Sequence, residues 1–205
     1  MDIAFPSNDY AGYIFDLDGT LIDSMPAHFR AWTAGLRGAG FKEDFTEDLF
    51  YSMGGVPTTK IVEMLNQRHG TTMDPLAVAH AKEEIYFTML AEIRLIEPVV
   101  AFAREKHAKG FPVSIASGGM RHVVRKLLEV TGLSEMFPII ATPEDVAHGK
   151  PSPDLFLLAA ARMGVPAREC LVFEDAEPGR QAAIAAGMDY VMVPSRTLQT
   201  KRAGA

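Results

Sequence analysis

Apolar and polar positions follow two different rhythms along this chain. The run Tyr10-Ala11-Gly12-Tyr13-Ile14-Phe15 is almost continuously apolar, the pattern of a strand buried on both faces in a parallel sheet. It stops abruptly at Asp16-Leu17-Asp18-Gly19-Thr20. From about residue 25 to 95 strand-like runs disappear. Apolar residues recur there at helical spacing, as Phe29, Trp32 and Leu36, then Ile61, Met64 and Leu65, then Ile85, Met89 and Ile93. Gly38, Gly40, Gly54, Gly55, Gly70 and Pro75 punctuate these runs, so the stretch predicts a small helical bundle.

Alternation of helix and strand starts near Pro98. The pattern predicts helices over 99–109, 121–131, 153–163 and 179–186, and strands over 112–117, 139–142, 171–174 and 190–193. Strands alternating with helices imply an α/β fold, a parallel sheet covered on both faces. The helical stretch therefore interrupts an α/β core directly after its first strand. The expected division is a core of residues 1–23 and 94–205 and a helical insert of residues 24–93. The polar tail, 195–205, is expected to fray.

In open parallel sheets, ligands sit beyond the carboxyl ends of the strands, and four such ends carry chemistry here. Asp16 and Asp18 follow a buried strand, where a carboxylate is costly unless paired or metal-bound. Two acids and a glycine turn suit a hard cation. A capped surface turn is the bland alternative, and it accounts poorly for acids placed directly after a buried strand. Ala116-Ser117-Gly118-Gly119 offers a hydroxyl and glycine backbone N–H groups at a helix start, a fit for phosphate. Gly149-Lys150-Pro151 places a lysine on a stiff loop, which alone would read as an exposed lysine. Phe173-Glu174-Asp175 ends another apolar strand with two acids, which with Asp16 would complete an oxygen-rich Mg2+ site; alone, they would read as acids favoured at a helix N-terminus.

Composition narrows the function classes. The chain has 205 residues and a formal charge of -6, so it carries no electrostatic footprint for nucleic acid or an anionic membrane. An anionic ligand must be held by a few placed cations. The single cysteine, Cys170, excludes an intramolecular disulfide and reads as a buried small hydrophobe. Without a long apolar run or a basic-then-apolar leader pattern in the first nine residues, the expected location is the cytoplasm. The expected partner is a small phosphorylated metabolite, with a monomer or weak oligomer as the working form.

The four strand ends together resemble the haloacid dehalogenase (HAD) superfamily of phosphatases and phosphomutases, in its helical-cap branch. Phe15-Asp16-Leu17-Asp18-Gly19-Thr20-Leu21-Ile22-Asp23-Ser24 is similar to the first motif, Ser117 to the second, Lys150 to the third and Glu174-Asp175 to the fourth. Gly179, Ala182, Ala183, Ala186, Gly187 and Met188 resemble the usual continuation. The resemblance implies a Rossmann-like core with an inserted cap. A closer resemblance within it is to β-phosphoglucomutase-like proteins and fructose-1-phosphatase-type sugar phosphatases, through His28-Phe29-Arg30-Ala31-Trp32, the loop Gly55-Val56-Pro57-Thr58, and Lys82.

The resemblance further implies a Mg2+-dependent phosphatase. Asp16 would be the covalent nucleophile, and Asp18 the general acid and base. The Asp16 carboxylate, the Asp18 main-chain carbonyl and Asp175 would ligate Mg2+, with Glu174 supporting them from behind. Lys150, Ser117 and the N–H groups of Leu17, Asp18 and Gly118 would hold the phosphoryl oxygens. His28, Thr58 and Lys82 are the cap candidates for substrate, whereas Trp32 and the methionines, including Met53, are expected in the core. The nearest alternative is a phosphomutase. Gly54 and Thr58 stand where the mutase pattern expects cations, which favours hydrolysis. A phospho-accepting binding module of receiver type is a further alternative, although such domains are shorter and carry no helical insert after their first strand.

Overall fold

The computed structural model describes residues 3–53 and 56–194. Strand β1 (Gly12–Phe15) is followed by the short β2 (Ile22–Asp23) and by four helices, α1 (Met25–Gly38), α2 (Glu47–Ser52), α3 (Thr58–His69) and α4 (Pro75–Thr88). The chain continues through β3 (Arg94–Leu95), α5 (Glu97–Ala108), β4 (Val113–Ala116), α6 (Arg121–Val130), β5 (Ile139–Ala141), α7 (Asp154–Met163), β6 (Cys170–Glu174), α8 (Glu177–Ala185) and β7 (Asp189–Met192). Five strands form one parallel sheet in the order β5-β4-β1-β6-β7. The α/β core expected from the alternation is this sheet.

The sheet explains the unbroken apolar runs. Every residue of β1, β4 and β6 is buried, because side chains leave a strand alternately to two covered faces. Tyr13, Phe15 and Phe173 turn to one face, where Phe173 stacks on Phe15 and meets Phe102 of α5. Ile14, Ala116 and Val172 turn to the other, against Leu155, Phe156 and Ala159 of α7 and Ala182 and Ala183 of α8. The alanines let these helices lie close to the strands. Cys170 belongs to this second cluster, and burial pushes its thiol up to about 11, so it is a core residue and not a reactive one.

The described residues fall into two compact units, one built from the chain up to Asp23 and from Arg94 onward, the other from Ser24–Ile93. The second unit has its own core of Trp32, Leu36, Phe41, Phe45, Phe50, Met53, Ile61, Val62, Leu65, Met73 and Val78. Its helices are bounded by local chemistry. Thr46 caps α2 and Asp74 caps α4 with side-chain oxygens, and Gly70 ends α3 in the left-handed conformation.

The structure corrects the sequence reading at several places. β1 begins at Gly12, not Tyr10; the Tyr10 hydroxyl instead donates to Asp189 at 2.8 Å. Met64 is 44% exposed, so it is no part of the helical core. The buried residues of α4 are Val78 and Tyr86, while Ile85 is only partly buried and Ile93 lies beyond the helix. The antiparallel pair β2–β3, in register Ile22 with Leu95 and Asp23 with Arg94, was not anticipated. Two residues per strand are too few to show a period. The expectations for Gly54, Gly55 and the fraying tail 195–205 lie outside the described residues.

Candidate active site

Register brings the chemistry together. Phe15 pairs with Phe173 on one side and Ile115 on the other, so Asp16 emerges beside Glu174 at the carboxyl end of the sheet. The Asp16 N–H continues the ladder, donating to Phe173 O at 2.9 Å. The next residue, Leu17, is fully buried, and its carbonyl accepts from the N–H groups of Thr20, Leu21 and Ile22. This tight reversal needs Gly19, whose φ of 89° is left-handed. A Cβ on Gly19 would also overlap the Asp175 carboxylate. Gly19 therefore permits both the turn and the approach of Asp175.

Lys150 joins the two strand ends. Its Nζ donates to Asp16 Oδ1 and to Glu174 Oε2, each at 2.6 Å, and its side chain is 9% exposed. Burial pulls the lysine pKa down, but the charges of Asp16 and Glu174 outweigh it and hold the ammonium above its ordinary value. Lys150 is a fixed cation. Glu174 is held twice more: its Oε1 accepts from Ala176 N at 3.0 Å, and Gly179 of α8 lies so close that any Cβ would overlap its carboxylate.

Oxygens of Asp16, Glu174 and Asp175 lie within 4.8 Å of one another. Burial first, and the Glu174 charge second, raise both Asp16 and Asp175 above the ordinary carboxylate range, while Lys150 pulls the other way. Asp175 is pushed up to about 8. Three converging carboxylates with one ammonium between them leave an excess of negative charge, and a hard dication with oxygen ligands relieves it. The donor set fits Mg2+. Glu174, which the family resemblance sets behind the ligands, stands in this carboxylate group, whereas the Asp18 carboxylate does not.

Asp18 reaches toward the next strand. A Cβ built on Gly119 would lie 3.8 Å from Asp18 Oδ2 and 3.3 Å from Ser117 Oγ. The Asp18 carboxylate thus borders the turn after β4. Ser117 is buried there, donating its N–H to Ala141 O and accepting from Gly119 N at 3.0 Å, while Gly118 is exposed. The structure brings Asp16, Glu174, Asp175 and Lys150 together, and sets Asp18 against the Ser117–Gly118–Gly119 turn.

His28, Thr58 and Lys82 belong to the helical unit. Lys82 Nζ is 3.0 Å from His28 Nδ1, and the His28 ring stacks on Tyr86 with centroids 4.0 Å apart. Lys82 Nζ also lies 5.2 Å from the Tyr86 ring centre. This meeting follows from the close approach of α1 and α4 at Gly35, where a Cβ would sit 3.3 Å from the Lys82 backbone. Thr58 opens a separate helix, α3, and is half-buried. Tyr86 was missed by the sequence reading; its signal was its place one helical turn after Lys82.

A family model described as haloacid dehalogenase-like hydrolase matches residues 10–187. The fructose-1-phosphate phosphatase YqaB of Escherichia coli is 38% identical over 184 residues, which span 90% of this chain and 96% of that protein. Hexitol phosphatase A of the same organism is 32% identical over 89% of this chain and 82% of its own length. Among solved structures, CbbY from Rhodobacter sphaeroides in complex with phosphate superposes with a TM-score of 0.79 at 25% identity, covering 91% of this chain and 87% of that one.

Proposed function

The chain belongs to the haloacid dehalogenase-like hydrolase family, and from that premise we propose that it is a Mg2+-dependent phosphatase of a small sugar phosphate or related phosphomonoester. The observation that carries this reading is the Asp16 carboxylate held at 2.6 Å by the buried Lys150, within a group of three converging acids. Its likeness to a fructose-1-phosphate phosphatase and a hexitol phosphatase supports the substrate class.

Asp16 attacks the phosphorus and forms an aspartyl-phosphate as the alkoxide leaves. Asp18 gives the alkoxide its proton, then takes one from the water that hydrolyses the intermediate. Lys150, Ser117 and the N–H groups of Leu17, Asp18 and Gly118 hold the phosphoryl oxygens. Asp16, the Asp18 carbonyl and Asp175, with Glu174 beside them, would hold Mg2+, which would supply the charge neutralisation that lets an anionic phosphate approach an anionic nucleophile. His28, Thr58 and Lys82 are assigned to recognition of the leaving group. The proposed enzyme is cytoplasmic and monomeric or weakly associated; among the described residues no helix is long and apolar enough to cross a membrane.

The test is a panel of fructose 1-phosphate, a hexitol phosphate, 6-phosphogluconate and β-glucose 1-phosphate, each with Mg2+ and with EDTA. Mg2+-dependent release of inorganic phosphate is expected. Conversion of glucose 1-phosphate to glucose 6-phosphate without release would replace the phosphatase by a mutase.

A further inference from the structure

The turn between β4 and α6 has two adjacent glycines, Gly118 and Gly119. Glycines carry the greatest conformational freedom of any residue, so a phosphate-binding geometry built on them has to be fixed from outside. One end is fixed by the sheet, where Ser117 N donates to Ala141 O at 3.0 Å. The other end leads into α6, whose N-cap residue Met120 provides no capping side chain. Its first helical N–H would lack a partner within the helix. Instead the Arg121 N–H donates to Glu144 Oε1 at 2.8 Å, and the Arg121 guanidinium pairs with Asp145.

Asp145 is itself rigidly held. Arg162 of α7 reaches its two oxygens at 2.8 and 3.1 Å, Thr142 N donates to it at 3.0 Å, and its side chain is only 12% exposed. Glu144 and Asp145 lie just after β5, the strand that anchors Ser117. Both ends of the glycine turn are therefore tied to one edge of the sheet. We propose that Glu144 and Asp145 are positioning residues that hold the Ser117–Gly118–Gly119 turn in its phosphate-binding shape. The inference rests on the phosphatase reading above, in which that turn binds the phosphoryl oxygens.

The experiment compares wild type, Glu144→Ala, Asp145→Asn, Arg121→Ala and the double variant Asp145→Asn/Arg121→Ala. p-Nitrophenyl phosphate is the substrate, inorganic phosphate the competitive inhibitor, and Mg2+ half-saturation and thermal midpoint are measured alongside. The account expects KM and the phosphate inhibition constant to rise together by about tenfold in Asp145→Asn and Arg121→Ala, with kcat changed less. The double variant should be no worse than either single one, because both break the same tie, and Mg2+ half-saturation should stay near wild type. A lowered thermal midpoint with unchanged KM and inhibition constant would make the cluster a stability feature and overturn the inference. If Asp145→Asn does not fold, Glu144→Ala, which removes the exposed carboxylate that accepts from Arg121 N, decides by the same two constants. Wild type that neither turns over nor binds phosphate would instead sink the phosphatase reading.

Discussion

At the scale of single residues, the site is an arrangement of charges that cost too much to bury separately. Lys150 is paired with Asp16 and Glu174 in nearly complete burial. Removing one partner of such a group leaves an uncompensated charge, at a cost of about 3–5 kcal/mol. Lys150→Met should therefore lower stability by about that amount, read by urea denaturation, and abolish turnover; a variant of wild-type stability would show that the ammonium does not hold these acids. Gly19 and Gly179 are equally constrained. Gly179→Ala would drive a methyl group into the Glu174 carboxylate. It should reduce turnover and weaken Mg2+ binding without touching substrate, and unchanged Mg2+ half-saturation would separate Glu174 from the metal site.

At the scale of elements, the strands were legible because burial on both faces writes itself as uninterrupted apolar sequence, as in β1 and β6. The acids at their ends stood out for the same reason: Asp16 and Glu174 end the runs 11–15 and 170–173, which hold no charged residue. What was not legible was either too short or set by partners distant in sequence. The β2–β3 pair has two residues per strand. The meeting of His28 with Lys82 and Tyr86 depends on how α1 crosses α4, which no local pattern encodes. The tie from Glu144 and Asp145 to Arg121 spans more than twenty residues and uses ordinary surface residue types. Caps, by contrast, are local. Asp74 accepts from Leu76 N and Ala77 N at the start of α4, so Asp74→Ala should cost about 1 kcal/mol by thermal or chemical denaturation. No loss would mean the cap adds nothing to the helical unit.

At the scale of the whole molecule, a bound dication would compete with protons for the same carboxylates. Asp16 and Asp175 are raised above the ordinary range by burial and by the Glu174 charge, Asp175 to about 8. A carboxyl raised in the folded state binds more protons folded than unfolded. Metal-free protein should thus be most favoured at low pH with respect to these groups, and lose that advantage as pH rises from about 4 toward 8. A bound dication removes the penalty, so the gain in thermal midpoint from saturating Mg2+ should grow across the same interval. A gain that is flat with pH would mean that the metal does not sit on these acids.

In the proposed mechanism Asp16, gathered with Glu174, Asp175 and Lys150, is the phosphoryl acceptor of a Mg2+-dependent hydrolase. Phosphate release from fructose 1-phosphate, titrated with Mg2+ in wild type and in a folded Asp16→Asn variant, tests it most directly. Saturable dependence on Mg2+ in wild type, no release in EDTA and none from the variant are predicted. Release that persists in EDTA, or survives in Asp16→Asn, would contradict it.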